Sequence, residues 1–432
     1  MSRVNWKILA SALSMIGGMY AAMAKDSPGF VKVDWSEQDG EVWTIEGLMD
    51  REANRPMAKD TVFAICSNTK PVTSVLVLTF VEEGLLNLDD PVSKYLPEFA
   101  DIKFKGQSLK KPITLRQLIT HMSGLAYSAA LPGMKSDMTP YADQAKLAAT
   151  KPLRQEPGVA YQYCGLGFQV MGAVLEKLTG RKVSELMRER IFDPLEMKDT
   201  TFYPDAEMLK RTAVPYYYPP NGAEPVKYEF SNRWTEPLMN PARTAMLSGG
   251  LFSTVGDYLK FSQMMVRKGV GLNGKRVLSE RMFDEYLLVR QTPIGDKVDS
   301  SFDIGFRADH LAGSKGGLFA TSASWDWGRR KCSITFRAKS PYAPAGMKSK
   351  LDATGFGGGK TTFFVTDVKV TPKEASCSVG NNEDRHGVGT VKMLVNGKAV
   401  AAKRVELAIG ETKRVSFTHA TQPGDKVEFK VK

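Results

Sequence analysis

Histidine and cysteine are scarce in this chain, four of each among 432 residues, and they form no metal-ligand spacing with Asp or Glu. Metal-dependent chemistry therefore has no support in the sequence, and no cofactor is expected. A near-match to a phosphate-binding loop at Gly359-Lys360-Thr361 fails, because Thr354 stands where its first glycine belongs and no strand precedes it. Long apolar runs are missing too. The one candidate, "ILASALSMIGGMYAA", is shorter than the ~20 residues that span a bilayer. It follows Arg3 and Lys7 and leads into Ala22-Met23-Ala24, small residues at the positions of cleavage, so residues 1–24 read as a signal peptide. The chain is expected to be exported, periplasmic or extracellular, with no stable membrane insertion after cleavage. No cysteine lies near the cleavage point, so a lipid anchor there has no support.

A basic patch is also missing. The net charge is +12, yet Lys and Arg alternate with acids and nowhere interleave with aromatics, as nucleic-acid binding would require. The excess fits solubility or weak attraction to an anionic cell envelope. Cys66, Cys164, Cys332 and Cys377 could pair in an exported chain or stand as buried free thiols. The sequence leaves that open.

What is present divides the chain. "FVKVDWSEQDGEVWTIEG" alternates around a polar turn at Gln38-Asp39-Gly40 and reads as a β-hairpin. A helix is expected from Ser67 to about Glu83, stopped by Gly84. Its apolar residues (Val72, Val75, Leu76, Leu78, Phe80, Val81) lie all around, the pattern of a helix buried at the centre of a domain. Pro71 is tolerated there because it falls in the first turn. Further helices are expected in "TLRQLITHM", "FQVMGAVLEKLTG" and "GDYLKFSQMMVRKG". Strands return in "GGLFATSASWDW" and "RKCSITFRA". Helices in the middle and strands at both ends imply an α+β domain, residues 25–340, whose sheet is built from the two ends. Residues 341–361, rich in Pro, Gly and Lys, read as a linker. From 362 to 432 the chain is all alternation, with a hairpin turn at Asn396-Gly397, and a small antiparallel β-sandwich is expected.

The chemistry centres on "AICSNTKPV", where Ser67 stands three residues before Lys70. A chain this long should hold roughly two Ser-x-x-Lys strings by chance, and a second does occur at Ser108–Lys111, in the polar Lys-rich "KFKGQSLKKPIT". Context separates them. Ser67 opens a buried helix, in which Lys70 comes back to the face of Ser67 one turn further in. Its amine can take the hydroxyl proton as the oxygen attacks, provided burial or a second cation disfavours the ammonium.

"FAICSNTKPVTSVLVLTFVEEGLLNLDDPVSKYLPEF" resembles the nucleophile region of the serine β-lactamase-related family, which groups class C β-lactamases, D-Ala-D-Ala carboxypeptidases, D-aminopeptidases and certain esterases. "ITLRQLITHMSGL" is similar to its next motif, with Met122 where a small hydroxyl residue is usual, and "LSGGLFSTVGDYLKF" to a third. The resemblance spans about Gly29 to Phe336. It implies a β-lactamase/transpeptidase-like fold with the site between sheet and helical subdomain. In "EPGVAYQYCGLGF" it places Tyr163 on the family's catalytic tyrosine, a proton shuttle, and Gly165 on its asparagine, so the amide is lost. It places Lys315, Gly316 and Gly317 on the family's third element. Lys315 would then anchor an anion, Gly317 would let the backbone approach the ligand, and the amides of Leu318 and Ser67 would form the oxyanion hole. By itself Tyr163 could equally be a core aromatic beside Tyr161, and Lys315 a solvated turn lysine. His121 and His310 read as structural.

Two further departures concern the helices that usually precede the first strand and follow the last, neither of which has room here. The C-terminal segment, whose "MLVNGKAV…VELAIGETKRVSF" looks like cell-adhesion-related bacterial domains of immunoglobulin type, could cover the sheet face so exposed. It could also bind a protein or envelope component. Three functions follow. The first is an exported serine hydrolase acting on an ester or D-amino-acid peptide, with a small-molecule or peptidoglycan-derived substrate. The others are a binding protein on a degenerate hydrolase scaffold, and a true β-lactamase.

Overall fold

In the computed structural model the described residues are 28–125, 137–219, 223–229, 238–287, 306–308, 312–340, 363–371, 374–381, 387–407, 412–418, 422 and 425–431. The expected signal peptide, the linker with its near-match phosphate loop, His310 and the junctions where the two helices are expected to be missing fall wholly or largely outside them. The chain forms two units, Met1–Asp90 with Val174–Lys348, and Pro91–Ala173 with Ser349–Lys432.

Alternation in "FVKVDWS" sends Val31, Val33 and Trp35 to one face and Lys32 and Asp34 to the other. Strands β1 (Phe30–Ser36) and β2 (Gly40–Glu46) result, and Gly40 takes the positive φ of 72° that ends the turn between them. Four strands from much later in the chain join them: β3 (Arg307–Ala308), β4 (Ala312–Gly317), β5 (Thr321–Asp326) and β6 (Lys331–Arg337). The antiparallel order is β3-β4-β5-β6-β1-β2. Val33 faces Ile334 and Trp35 faces Cys332, so one register puts Val31, Val33 and Trp35 with Cys332, Ile334 and Phe336 on the inner face. The expected sheet from two chain ends is what forms.

The nucleophile helix, α1 (Thr69–Glu82), is buried at every residue from Thr69 to Phe80. A helix without a polar stripe has to lie inside, and this one does. It starts two residues later than the sequence suggests, because Cys66–Asn68 form a 3-10 turn. Gly84 (φ 70°) follows its end. In the second unit, α2 (Leu115–Ile119) is capped reciprocally by Thr114 and Gln117. It is followed by α3 (Tyr141–Ala149) and by α4 (Leu166–Thr179), which begins in that unit. Gly167 is obligatory on α4, since a Cβ there would lie 2.3 Å from the Leu118 carbonyl oxygen. Back in the first unit, α5 (Val255–Val266) is capped by Thr254, which accepts from Asp257 N. It packs on the inner sheet face, with the Tyr258 ring 5.4 Å from that of Phe336 and Trp327 Nε1 donating to Met265 O.

The outer face is different. Ser314, Ser324, Ser333 and Asp34 lie in one cross-strand row and help line an open cavity of about 710 Å³. Ser108, the chance serine, is exposed in a short hairpin with Lys103-Phe104, and Lys111 is exposed as well.

The C-terminal segment carries β7 (Phe363–Val370), β8 (Glu374–Asn381), β9 (Gly387–Val395), β10 (Lys398–Leu407), β11 (Thr412–Thr418) and β12 (Val427–Val431). Two sheets form, β7-β8-β11 and β10-β9-β12. Ala375, Cys377, Val415 and Phe417 from the first meet Val391, Met393 and Val405 from the second in one buried cluster. This is a small all-β sandwich, as expected. Asn396 (φ 51°) and Gly397 (φ 81°) make the hairpin turn, the two-residue type that matches strand twist.

All four cysteines are buried and none is in a disulfide. Burial pushes the Cys332 thiol up to about 12, the nearby Asp34 carboxylate adding to it, and burial pushes Cys377 up to about 11. A thiol with a raised value stays protonated and unreactive. The native protein should therefore release no thionitrobenzoate from Ellman's reagent at pH 8, and four equivalents once unfolded. Prompt reaction of the native state would contradict this packing.

Candidate active site

Ser67 is the one partly exposed residue in a run otherwise buried from Thr61 to Phe80. The residue before it, Cys66, has a φ of 50°, a left-handed conformation that a side chain adopts only under constraint. That kink joins the strand Val62–Ala64 to the 3-10 turn and brings the hydroxyl to the surface at the mouth of the helix. Lys70, 1% exposed, has its Nζ 3.3 Å from Ser67 Oγ. The expected pair is formed, although the intervening backbone is part 3-10 turn and part α-helix.

Lys70 is held from a second side. Its Nζ donates to the Ser248 carbonyl at 2.6 Å. The same turn is tied to α1 by Thr73 Oγ1 donating to Leu247 O and by Leu251 N donating to Thr69 Oγ1. Thus "LSGGL", which the sequence supplies only as a motif, fastens to one face of α1 at three residues. Gly250 makes the tight return, since a Cβ there would stand 2.9 Å from Met246 Cβ.

Across the turn runs β4. Lys315 and Gly317 lie on its inner face, opposite Ala323 and Thr321 of β5. Lys315 is 7% exposed, so it is a buried lysine on the strand itself and not a solvated turn residue. A small alanine as cross-strand neighbour leaves its side chain room. Gly317 packs on the nucleophile turn so closely that a Cβ would lie 2.5 Å from Ile65 O. Leu318 follows in the turn after β4, its half-buried side chain packed against the buried cluster that contains Val62, Cys66, Tyr228 and Phe319. Ser67, Lys70, Lys315, Gly317 and Leu318 all belong to the first unit.

Tyr163 belongs to the second unit and is built there. Its half-buried ring lies 4.5 Å from that of His121, tilted by 34°. Cys164 N donates to His121 Nδ1 at 3.0 Å and Gln162 N donates to His121 O at 2.8 Å. His121 therefore clasps the backbone on both sides of Tyr163, from a φ of 62° that is rare outside glycine. Gly158 N donates to Met122 O, so "HMSG" and "EPGVAYQYC" are one structure. Gly165, which the resemblance sets against the family's asparagine, accepts from Phe168 N just before α4.

Sequence reasoning passed over Asn68 and Thr321. Asn68 Nδ2 donates to Thr321 Oγ1, which donates to Ile65 O, and Tyr258 OH donates to Asn68 O. The available signal was a pair of polar residues inside buried runs. Among the described residues no group of His, Cys, Asp and Glu could hold a metal ion, and no helix is long and apolar enough to cross a membrane.

Several known proteins are similar. Esterase EstB of Burkholderia gladioli is 38% identical over 185 residues, 40% of this chain and 46% of that protein. The D-alanyl-D-alanine-carboxypeptidase/endopeptidase AmpH of Escherichia coli K12 is 32% identical over 209 residues, 47% of this chain and 49% of its own. The chain thus spans about half the length of these curated relatives. Simvastatin synthase of Aspergillus terreus, a solved structure, superposes with a TM-score of 0.60 over 78% of this chain and 94% of that one, at 20% identity, which speaks to the fold alone. The family model described as Beta-lactamase matches residues 18–367, most of the sequence, and on that match the chain belongs to the beta-lactamase family.

Proposed function

We propose that this protein is an exported serine hydrolase working through an acyl-enzyme on Ser67. The observation that carries the reading is the buried Lys70 amine at 3.3 Å from the one accessible hydroxyl of the turn. Lys70 takes the hydroxyl proton as Ser67 Oγ attacks the substrate carbonyl carbon. The carbonyl electron pair moves to oxygen, where the amides of Ser67 and Leu318 stabilise it. Collapse expels an alcohol or amine, to which Tyr163 passes a proton. Water then attacks the acyl carbon, and Ser67 leaves with its proton restored. Lys315 supplies positive potential over the site and anchors an anionic substrate group.

Gly165 favours esters over amides. The family's asparagine at that place hydrogen-bonds a substrate amide, and a glycine has no side chain to do so. The names of two relatives, one an esterase and one a D-alanyl-D-alanine-carboxypeptidase/endopeptidase, support a small-molecule ester or a peptidoglycan-derived D-amino-acid peptide. Gly165 also motivates the second reading, a scaffold that binds without turnover. The C-terminal sandwich, with its first, second and fifth strands in one sheet and its fourth, third and sixth in the other, is proposed to be a domain of immunoglobulin type on the strength of the sequence resemblance. It is proposed to bind a protein or envelope component.

Incubation with a fluorophosphonate and with a fluorescent penicillin separates the readings. We expect the phosphonate to label Ser67, ester turnover to follow, and penicillin to be turned over poorly. Prompt penicillin hydrolysis would make the protein a β-lactamase, and failure of both reagents to label Ser67 would leave the binding scaffold. Ser67→Ala and Lys70→Met should each lower ester kcat by at least about 1,000-fold, and Tyr163→Phe by about 100-fold. For export, N-terminal sequencing of protein recovered outside the cytoplasm should begin at Lys25. An intact Met1 in that fraction would refute signal cleavage.

A further inference from the structure

One hydroxyl joins the two chain segments that carry the proposed oxyanion donors. Thr321 is 1% exposed. Its Oγ1 donates to Ile65 O at 2.9 Å and accepts from Asn68 Nδ2 at 2.9 Å. A hydroxyl has one donor and two lone pairs, so this single group bridges both ends of the Ile65–Asn68 turn on which Ser67 sits. Thr321 is also the first residue of β5, directly opposite Gly317, the last residue of β4. Between them lies the Leu318–Ala320 turn, closed by Ala320 N donating to Gly317 O at 3.1 Å.

The join has no slack. A Cβ at residue 317 would stand 2.2 Å from Thr321 Oγ1 and 2.5 Å from Ile65 O. Asn68, wholly buried, is fixed at its other end by Tyr258 OH on its carbonyl at 2.9 Å. We infer that Thr321, with Asn68, is a positioning residue: it sets the separation between the Ser67 and Leu318 amides, and so the shape of the oxyanion hole. This rests on the acyl-enzyme reading proposed above. Thr321 touches no reacting atom and acts through the spacing of the two donors. Such spacing matters because amide donors stabilise an oxyanion only within hydrogen-bond range of where it forms, and displacement by about 1 Å can lower a rate by about 100-fold.

Thr321→Val keeps the shape and removes both hydrogen bonds, Thr321→Ser keeps the hydroxyl, and Asn68→Ala removes one bond. Rates of p-nitrophenyl acetate hydrolysis are measured per active site titrated with a fluorophosphonate, so that only folded protein counts. Thr321→Val should lower kcat by about 10- to 100-fold with KM within about 2-fold. Thr321→Ser should stay within about 3-fold of the parent and Asn68→Ala should fall between. Should Thr321→Val not fold, the serine and Asn68→Ala variants decide by the same criterion. Affinity for a boronic acid, whose tetrahedral adduct occupies the oxyanion hole, should fall in parallel with kcat/KM, while acetate inhibition stays unchanged. A merely structural threonine would lower the melting temperature and leave these constants intact, and that result overturns the inference. So does a serine variant as impaired as the valine one. If the unaltered protein neither labels at Ser67 nor hydrolyses the ester, the acyl-enzyme reading itself fails, and this inference with it. Turnover through Ser67 with an unimpaired Thr321→Val removes only the role of Thr321.

Discussion

An amine at Lys70, 1% exposed and 3.3 Å from Ser67 Oγ, is the contact on which the arrangement depends. Removing an ammonium from water without partners is severely unfavourable, so the protein has to surround that nitrogen with polar groups or favour its neutral form. It does the first with the Ser248 carbonyl, and the turn that presents this carbonyl is itself fastened to α1 through Thr69 and Thr73. A helix buried on all sides makes such burial possible, since no face of it could offer the amine to solvent.

Around that contact the site is built from backbone held by small or hydroxylated residues. Gly317 and Gly250 are glycine because their neighbours leave no space for a Cβ. Cys66 and His121 hold positive φ values and stand immediately before Ser67 and at the clasp of Tyr163. Strain of this kind persists only where surrounding contacts over-determine the chain, and both are locked by hydrogen bonds of neighbouring backbone or by burial. The same economy explains why Thr321 can matter without touching the chemistry.

The departures from the family pattern are local. Gly165, which the resemblance sets against the family's asparagine, accepts from Phe168 N at the start of α4. Met122, where a small hydroxyl residue is usual, is buried, and its carbonyl still receives Gly158 N.

Periodicity and punctuation alone determined much. The alternation of residues 30–46 encodes a hairpin, the all-round apolar run after Ser67 a buried helix, and Asn396-Gly397 a tight turn. Each rests on contacts between near neighbours. The Ser67–Lys70 pair was legible for the same reason, being three residues apart. What no local pattern contains is the approach of distant segments. Whether Lys315 is solvated or buried depends on the pairing of β4 with β5 and on the nucleophile turn packed against β4. The Ser248 carbonyl reaches Lys70 across a sequence separation of 178, and the Thr321 hydroxyl reaches Ile65 across one of 256. Those contacts depend on which surfaces bury best together, and only the folded structure decides that.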